Sequence, residues 1–317
     1  MADVDIKAVA DPLPRWRLRR PALLRELLHT PAPALAAGVL ILMALLALAA
    51  SWIAASDPFD PANASLIDSM TPPAWLSEGS MTYLLGTDDQ GRDILSTVLY
   101  GLRVSLAVGA TSVLVSMTIG ISIGLLAGSA GGWLDSIFMR IVDIQLTIPS
   151  ILLALMIDGV ARVVISRELH NEIAIYTIIL AIGVSNWPPF ARVARSRTLV
   201  ERNKEYVQAA RIIGVAPIKI LFSHILPNIL APILVIATID LGLAILSESA
   251  LSFLGVGMPP TQPSLGTLIR TGGNFLFSGS WWIFATPALA LVLIVLSVNV
   301  FGDWLRDALN PKLRKRV

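Results

Sequence analysis

The segment EYVQAARIIGVAPIKILFSHILPN, residues 205–228, is charged and helix-prone, although it lies in an otherwise strongly apolar chain. Gly214 is placed to end a first helix over 205–213, because glycine tolerates the left-handed conformation that follows many helices. Pro217 suits the first turn of a second helix, and Pro227 is predicted to end that helix. The pattern therefore predicts a helix–turn–helix with an exposed turn. One face of the first helix is predicted to carry Tyr206, Ala209, Ala210 and Ile213.

The composition of the whole chain indicates a membrane protein. Its 317 residues are 55% hydrophobic and 15% charged, with a mean hydropathy of +0.73, whereas soluble domains carry about 25% charged residues. The absence of cysteine excludes disulfides and thiol chemistry, and the three histidines lie too far apart in sequence for a metal-binding motif. The net charge of +2 is too small to indicate nucleic-acid binding.

Hydropathy predicts an all-α polytopic membrane protein with six transmembrane helices, since about 20 apolar residues cross the hydrocarbon of a bilayer. The third predicted span is interrupted by Arg140, Asp143 and Pro149, and the fourth ends in the sequence WPPF. The six predicted spans cover residues 34–54, 104–127, 136–157, 173–190, 229–254 and 281–301.

The distribution of basic residues predicts the orientation of these spans. With the N-terminus inside, 19 of the 24 Lys and Arg residues fall in inner segments and five in outer segments. Both termini are therefore predicted to be cytoplasmic, and the basic, amphipathic residues 15–28 are predicted to contact membrane lipid. The predicted organisation is a cytoplasmic N-terminal segment (1–33), a six-helix membrane domain (34–306) with outer loops at 55–103 and 255–282 and an inner loop at 191–228, and a basic cytoplasmic tail (307–317).

The chain has no motif that predicts an enzyme. The sequence GISIG at 120–124 matches the G-x-S-x-G pattern of a serine nucleophile, but it lies inside an apolar helix with no preceding strand. None of the five lysines follows a glycine, so the chain has no phosphate-binding loop of the Walker type. If transport is driven by ATP, the ATP and its Mg²⁺ are therefore expected on another polypeptide, and no cofactor is expected in this chain.

Small residues recur every four positions along the second span, on one face of the predicted helix. Such a stripe lets another backbone approach closely. Two interpretations remain open, packing within this chain and contact with a partner subunit. The stripe consists of Ser112, Ser116, Gly120, Gly124 and Gly128.

Two acidic residues fall within the fifth span, Asp240 near its middle and Glu248 closer to its outer end. A carboxylate in the bilayer centre costs about 2.5–3.5 kcal/mol on insertion scales, so it must face protein, water or a partner. Both residues are candidates for lining a transport pathway, and the alternative is a hydrogen-bonded packing role. As ion sites they would suit a stand-alone secondary transporter or channel subunit, although no inverted repeat is evident and six spans is few for such a carrier.

The outer segment before the second span is predicted to contain a short helix. Thr87 or Asp88 is placed to cap it, because both side chains accept hydrogen bonds from the first helical N–H groups. Asp88 and Arg92 are then predicted to point outward.

The segment at 205–228 resembles the EAA loop of the membrane subunits of ABC importers, which has the pattern E-A-A-x3-G-x9-I-x-L-P. Gln208 stands in place of the acidic residue and His224 in place of the isoleucine. The positions in register are Gln208, Ala209, Ala210, Gly214, Leu226 and Pro227.

Three further segments are similar to signatures of the dipeptide, oligopeptide and nickel C-type permeases of this family. They are LLGTDDQGRDILSTVLYGLRVSL (84–106), AILSESALSFLGVG (244–257) and FGDWLRDALNPKLR (301–314). The resemblance extends over about residues 34–314. It implies a multi-pass permease of the bacterial inner membrane that imports peptides with a second, different permease chain, two ATPase subunits and an extracytoplasmic substrate-binding protein. The residues it implies for ATPase coupling are Gln208, Ala209, Ala210, Gly214, Pro217, His224, Leu226 and Pro227.

Overall fold

A computed structural model describes residues 20–54, 57–60 and 65–309. In these ranges the chain is helical and forms no β-strand; one isolated bridge joins Thr87 to Asp93. Most of the predicted N-terminal segment and of the basic tail lies outside the described residues. The helices are α1 (Arg20–His29), α2 (Pro31–Leu48), α3 (Ala50–Ile53), α4 (Ile94–Ala130), α5 (Gly132–Leu146), α6 (Ser150–Val164), α7 (Arg167–Glu201), α8 (Glu205–Ile212), α9 (Pro217–Ile220), α10 (Leu226–Phe253), α11 (Leu265–Gly273) and α12 (Trp282–Ala308).

The described part of the chain contains five helices that are long and apolar enough to cross a membrane, and a sixth span if α5 and α6 count as one. These two helices meet at an angle of 90° over residues 147–149. Pro149 explains the bend, because proline lacks an N–H group and disfavours helical conformation in the residue before it. The predicted interruption of the third span is therefore present at Pro149, whereas Arg140 and Asp143 lie within α5 and do not break it.

The helix of the fourth predicted span does not end at WPPF, because α7 continues through Pro188 and Pro189 to its end at Glu201. The two prolines cannot donate hydrogen bonds to the carbonyls four residues earlier, at Val184 and Ser185. The side-chain amide of Gln145 on α5 donates to both of these carbonyls, at 2.6 Å and 3.4 Å. A neighbouring helix thus satisfies the freed backbone groups and allows α7 to continue.

The stripe of small residues on α4 lies buried inside this chain and packs mainly against α7. A Cβ atom at Gly120 would overlap Phe190, and one at Gly128 would come within 2.7 Å of the Thr198 side chain. The Ser116 hydroxyl donates to the Gly183 carbonyl at 2.9 Å. The close approach of the two backbones explains why small residues are needed at these positions.

The cap predicted for the outer helix is wrong. Asp93 is the N-cap of α4, and its carboxylate accepts a hydrogen bond from the Ser96 N–H at 2.9 Å. Asp88 is instead buried, accepts hydrogen bonds from the backbone of Gln90 and Arg92, and forms an ion pair with the Arg92 side chain at 2.7 Å. Asp88 therefore organises the loop before α4 rather than pointing outward.

Candidate functional site

The turn between α8 and α9 has the backbone that the sequence predicts. Gly214 has a φ of +80°, and its N–H donates to the Arg211 carbonyl at 3.0 Å. The Val215 N–H donates to the Ala210 carbonyl at 3.0 Å, which completes a Schellman motif at the end of α8. Pro217 then occupies the first turn of α9. The predicted roles of Gly214 and Pro217 in the backbone of this turn are confirmed.

The face of α8 that is buried coincides only in part with the face that carries Tyr206, Ala209, Ala210 and Ile213. Val207 and Ala210 are buried and Tyr206 is half-buried, whereas Ala209 and Ile213 are exposed. Val207 and Ala210 join the main hydrophobic core of the helix bundle. Because Val207 and Ala210 face the core, Ala209 and the C-cap residue Ile213 point away from the rest of the chain and are exposed.

Four large apolar side chains are exposed around this turn, and we call them the inner patch. Their exposed fractions are 85% for Ile212, 77% for Ile213, 69% for Ile218 and 55% for Phe222. Gly214 lies among them, and a Cβ atom built on it meets no atom of this chain within 4 Å. A group of exposed apolar residues on a charged loop is typical of a protein contact surface.

Pro227 does not end the second helix, contrary to the prediction. A π-helical turn, Leu221–Ile225, joins α9 to α10, and the Leu226 N–H donates to the Leu221 carbonyl. The widened turn accommodates a proline that cannot donate, so residues Pro217–Phe253 form one helical segment of 37 residues. At 1.5 Å per residue this segment is about 55 Å long. It connects the inner patch continuously to the far end of the bundle.

A hydrogen-bond network joins the ends of three helices beneath the inner patch, and we call it the inner network. The Tyr206 hydroxyl donates to the Glu201 carboxylate at 2.6 Å, and the Asn228 amide donates to the Tyr206 oxygen at 3.3 Å. Asn228 also donates to the His224 carbonyl at 2.6 Å, and Lys204 pairs with Glu201 at 2.6 Å. Burial and the hydrogen bond to Glu201 raise the pKa of Tyr206, so its hydroxyl stays protonated and remains a donor.

The remaining residues that the resemblance implies for coupling are exposed or half-buried. Gln208 is exposed and donates to the Arg202 carbonyl at 3.2 Å, and Pro227 is exposed beside the π-helical turn. Leu226 is half-buried. His224 is also half-buried, and its Nδ1 atom has no hydrogen-bond partner among the described residues. Glu201, Tyr206 and Asn228 were not predicted as site residues, since their contacts depend on the tertiary fold.

The two acidic pathway candidates are enclosed by protein on α10. Glu248 is fully buried and accepts hydrogen bonds from the hydroxyls of Ser105 at 2.8 Å, Ser252 at 2.7 Å and Ser249 at 3.4 Å. Asp240 is 9% exposed, and its Oδ2 atom has no hydrogen-bond partner in the described part of the chain. Asp240 and Glu248 are eight positions apart, which corresponds to about 12 Å along the helix, so they form two separate sites.

Glu248 also fixes the segment that follows α10. The Ser105 oxygen accepts a hydrogen bond from the Leu265 N–H at 3.2 Å, and the Ser252 oxygen accepts one from the Met258 N–H at 3.1 Å. Each serine therefore links the backbone of this segment to the Glu248 carboxylate. This arrangement holds α4, α10 and the start of α11 together around one buried acidic group.

The sequence of this chain matches a family of known proteins. Residues 120–315 match the family model described as "Binding-protein-dependent transport system inner membrane component". The chain is 42% identical to the dipeptide transport system permease protein DppC of Escherichia coli (strain K12), over 87% of each chain. It is 38% identical to the di/tripeptide transport system permease protein DppC of Pseudomonas aeruginosa (strain UCBPP-PA14), over 87% of this chain and 86% of that protein.

Similarity to solved structures concerns the fold alone. The chain matches a chain of the MetNI methionine ABC transporter in an inward-facing conformation with a TM-score of 0.53 and 23% sequence identity. The match covers 68% of this chain and 96% of the other. The helix bundle of this protein therefore shares the fold of that chain.

Proposed function

The chain belongs to the family of inner membrane components of binding-protein-dependent transport systems, and from this premise we propose that it is the permease subunit of an ABC importer that moves di- or oligopeptides inward. Its relatives that are named for dipeptide and di/tripeptide transport support the substrate class. The observation that carries the coupling mechanism is the inner patch around Gly214, at one end of a helical segment of 37 residues.

The mechanism requires partners that recognise both ends of the bundle. The inner patch enters a groove on an ATPase subunit, because exposed Ile and Phe side chains become favourable when a partner removes them from water. A second, different permease chain completes the pathway and positions a second ATPase subunit. An extracytoplasmic binding protein delivers the peptide to the outer end. ATP and Mg²⁺ are held by the ATPase subunits, and this chain acts as a transport subunit without a cofactor or enzymatic activity of its own.

Purification of the solubilised chain from its native host tests this assembly. We expect it to carry one sister permease and two ATPase chains, detected by mass spectrometry of the intact complex. Recovery of the chain alone, or as a complex with itself only, would contradict the proposal.

The topology that fits this mechanism has six spans, with α5 and α6 forming one broken span and both termini in the cytoplasm. The predicted boundaries at residues 33 and 306 are then retained as the limits of the membrane domain. The inner patch lies on the ATPase side in this orientation, and 19 of the 24 basic residues fall in inner segments.

Single-cysteine labelling tests this orientation cleanly, since the chain has no cysteine. Cysteines introduced at Ser77 and Gly279 should react with a membrane-impermeant thiol reagent in intact cells. A cysteine at Asn203 should react only after the membrane is opened. The reverse pattern would overturn the topology.

Removal of the Tyr206 hydroxyl should uncouple transport from ATP hydrolysis without releasing the ATPase subunits. In Tyr206→Phe the inner patch is unchanged, but Glu201 and Asn228 lose the group that links them. We expect the number of peptides imported per ATP hydrolysed to fall several-fold, measured in proteoliposomes, while ATPase co-purification stays normal. Tyr176→Phe is the matched control, because this tyrosine is 65% exposed on α7 and lies outside the inner network. An unchanged ratio in Tyr206→Phe would exclude a coupling role for the network.

A further inference from the structure

The outer end of the bundle contains a cavity of about 100 Å³ that two arginines line from different helices. Arg162 reaches it from the last turn of α6, and Arg270 reaches it from α11. The other lining residues that the structure describes contribute no acidic side chain; they are Ala174, Gly255, Gly257, Met258, Pro259 and Pro260. Apart from the two guanidinium groups, the described walls of the cavity are backbone and apolar side chains, so the charged groups among the described lining residues are both positive.

Arg162 is held in position by two contacts on one side of its guanidinium. Its Nε atom pairs with the Asp158 carboxylate at 2.7 Å, and its Nη2 atom donates to the Gly257 carbonyl at 3.1 Å. Asp158 is almost completely buried, so this ion pair fixes the arginine rather than leaving it free in solvent. The guanidinium has five N–H groups, and those not used by Asp158 and Gly257 are available to a ligand.

Arg270 is the second arginine that lines the cavity. It is exposed and forms no ion pair within the described ranges. Its guanidinium lies against Gly255, where a Cβ atom would come within 2.7 Å of Nη1. Gly255 has a φ of +83° and follows the end of α10, with the Val256 N–H donating to the Leu251 carbonyl at 3.0 Å. The turn after α10 therefore leaves room for this arginine.

We propose that this cavity receives one acidic side chain of the extracytoplasmic binding protein, an inference that rests on the proposed function. Small-molecule sites usually enclose about 300–1,000 Å³, so a cavity of about 100 Å³ suits a single side chain rather than a peptide. Two guanidinium groups match the geometry of a carboxylate, which accepts paired hydrogen bonds from each. The positive cavity at the outer end thus gives the permease a specific contact for a partner arriving from outside.

The test uses the complete transporter in proteoliposomes, with peptide-loaded binding protein titrated on the outer side. In Arg270→Gln, we expect the concentration of binding protein that gives half-maximal ATP hydrolysis to rise about tenfold, as for loss of one charged hydrogen bond. Arg270→Glu should raise it further, and the maximal rate at saturation should stay near that of the wild type. Arg103→Gln is the matched control, since Arg103 is an exposed arginine on α4 that does not line the cavity.

A charge swap gives a second, independent readout. Replacing single acidic residues of the binding protein with lysine should identify one change that restores stimulation of Arg270→Glu while weakening stimulation of the wild type. A normal half-maximal concentration in assembled Arg270→Glu overturns the inference. It is also overturned if Arg270→Glu discriminates only between free and C-terminally amidated peptides, because the ligand is then the substrate carboxylate.

The failure of the proposed function has a different signature. If no binding protein stimulates ATP hydrolysis by the wild-type complex, the proposed function is overturned, and this inference with it. If the binding protein stimulates ATP hydrolysis equally in the wild type and in the Arg270 variants, only this inference is overturned.

Discussion

Replacing Gly214 with aspartate should abolish peptide uptake while leaving the chain inserted in the membrane. The residue has a φ of +80°, where an L-amino acid is strained by about 1–2 kcal/mol. Its Cβ direction is open within this chain, so the fold tolerates a side chain. The added carboxylate would lie among Ile212, Ile213 and Ile218 and would lose its hydration on docking. Contacts of this kind are worth about 2 kcal/mol or more, equivalent to at least a 30-fold weaker ATPase contact.

Two variants separate the charge from the backbone strain. Gly279→Asp is the matched control, because Gly279 has a φ of +98°, also has open space around its Cβ direction, and lies far from the inner patch. Gly214→Ala adds the strain at Gly214 without the charge and should have an intermediate effect. Co-purification of the ATPase subunits and peptide-stimulated ATP hydrolysis are measured together. Normal values of both in Gly214→Asp would show that this loop is not the coupling element.

Replacing Glu248 with alanine should destabilise the permease itself. The hydroxyls of Ser105 and Ser252 would lose their acceptor in a fully enclosed space. Each orphaned donor costs about 1–3 kcal/mol, and the cavity left by the side chain adds to this. We expect the midpoint of thermal unfolding in detergent to fall by roughly 5 °C or more, with a lower yield of assembled complex. Ser249→Ala, which removes only the hydrogen bond of 3.4 Å, should stay close to the wild type.

The same measurements distinguish an acidic residue that stabilises helix packing from one that lines the transport pathway. Glu248→Ala with a normal unfolding midpoint and no transport would contradict the packing role and assign Glu248 to the pathway. Asp240→Asn provides the comparison, because Asp240 has a carboxylate oxygen without a hydrogen-bond partner in the described part of the chain. We expect this variant to assemble normally and to import peptide more slowly. Loss of assembly in Asp240→Asn would instead assign that residue to packing.

The parts of the fold that could be predicted from the sequence depend on local chemistry. Long apolar runs predicted the spans at α2, α4, α10 and α12, because crossing the bilayer requires a minimum length. The turn at Gly214 was predicted because a positive φ at a helix end is a property of the residue itself. The prolines at 188, 189 and 227 were misread for the opposite reason. Their effect depends on Gln145 and on a π-helical turn, which the local sequence does not reveal.

The candidate sites were predictable to a smaller extent. The resemblance identified the loop that contains the inner patch, but it did not indicate which side of α8 is buried. The inner network and the two-arginine cavity join residues that are distant in the sequence; Arg162 and Gly257 are 95 positions apart. The sequence identifies Glu248 as an acidic residue in a span, whereas its serine partners come from two helices. Such contacts follow from the packing of the bundle and have no signature in a single sequence.

Reconstituted transport tests the central claim most directly. The chain is placed in liposomes with its sister permease and both ATPase subunits, and uptake of a labelled dipeptide is followed with ATP supplied on the ATPase side. The account predicts accumulation against a gradient that requires both ATP and the binding protein, and that disappears in Gly214→Asp. Uptake by this chain alone, driven by an ion gradient and independent of ATP, would contradict it.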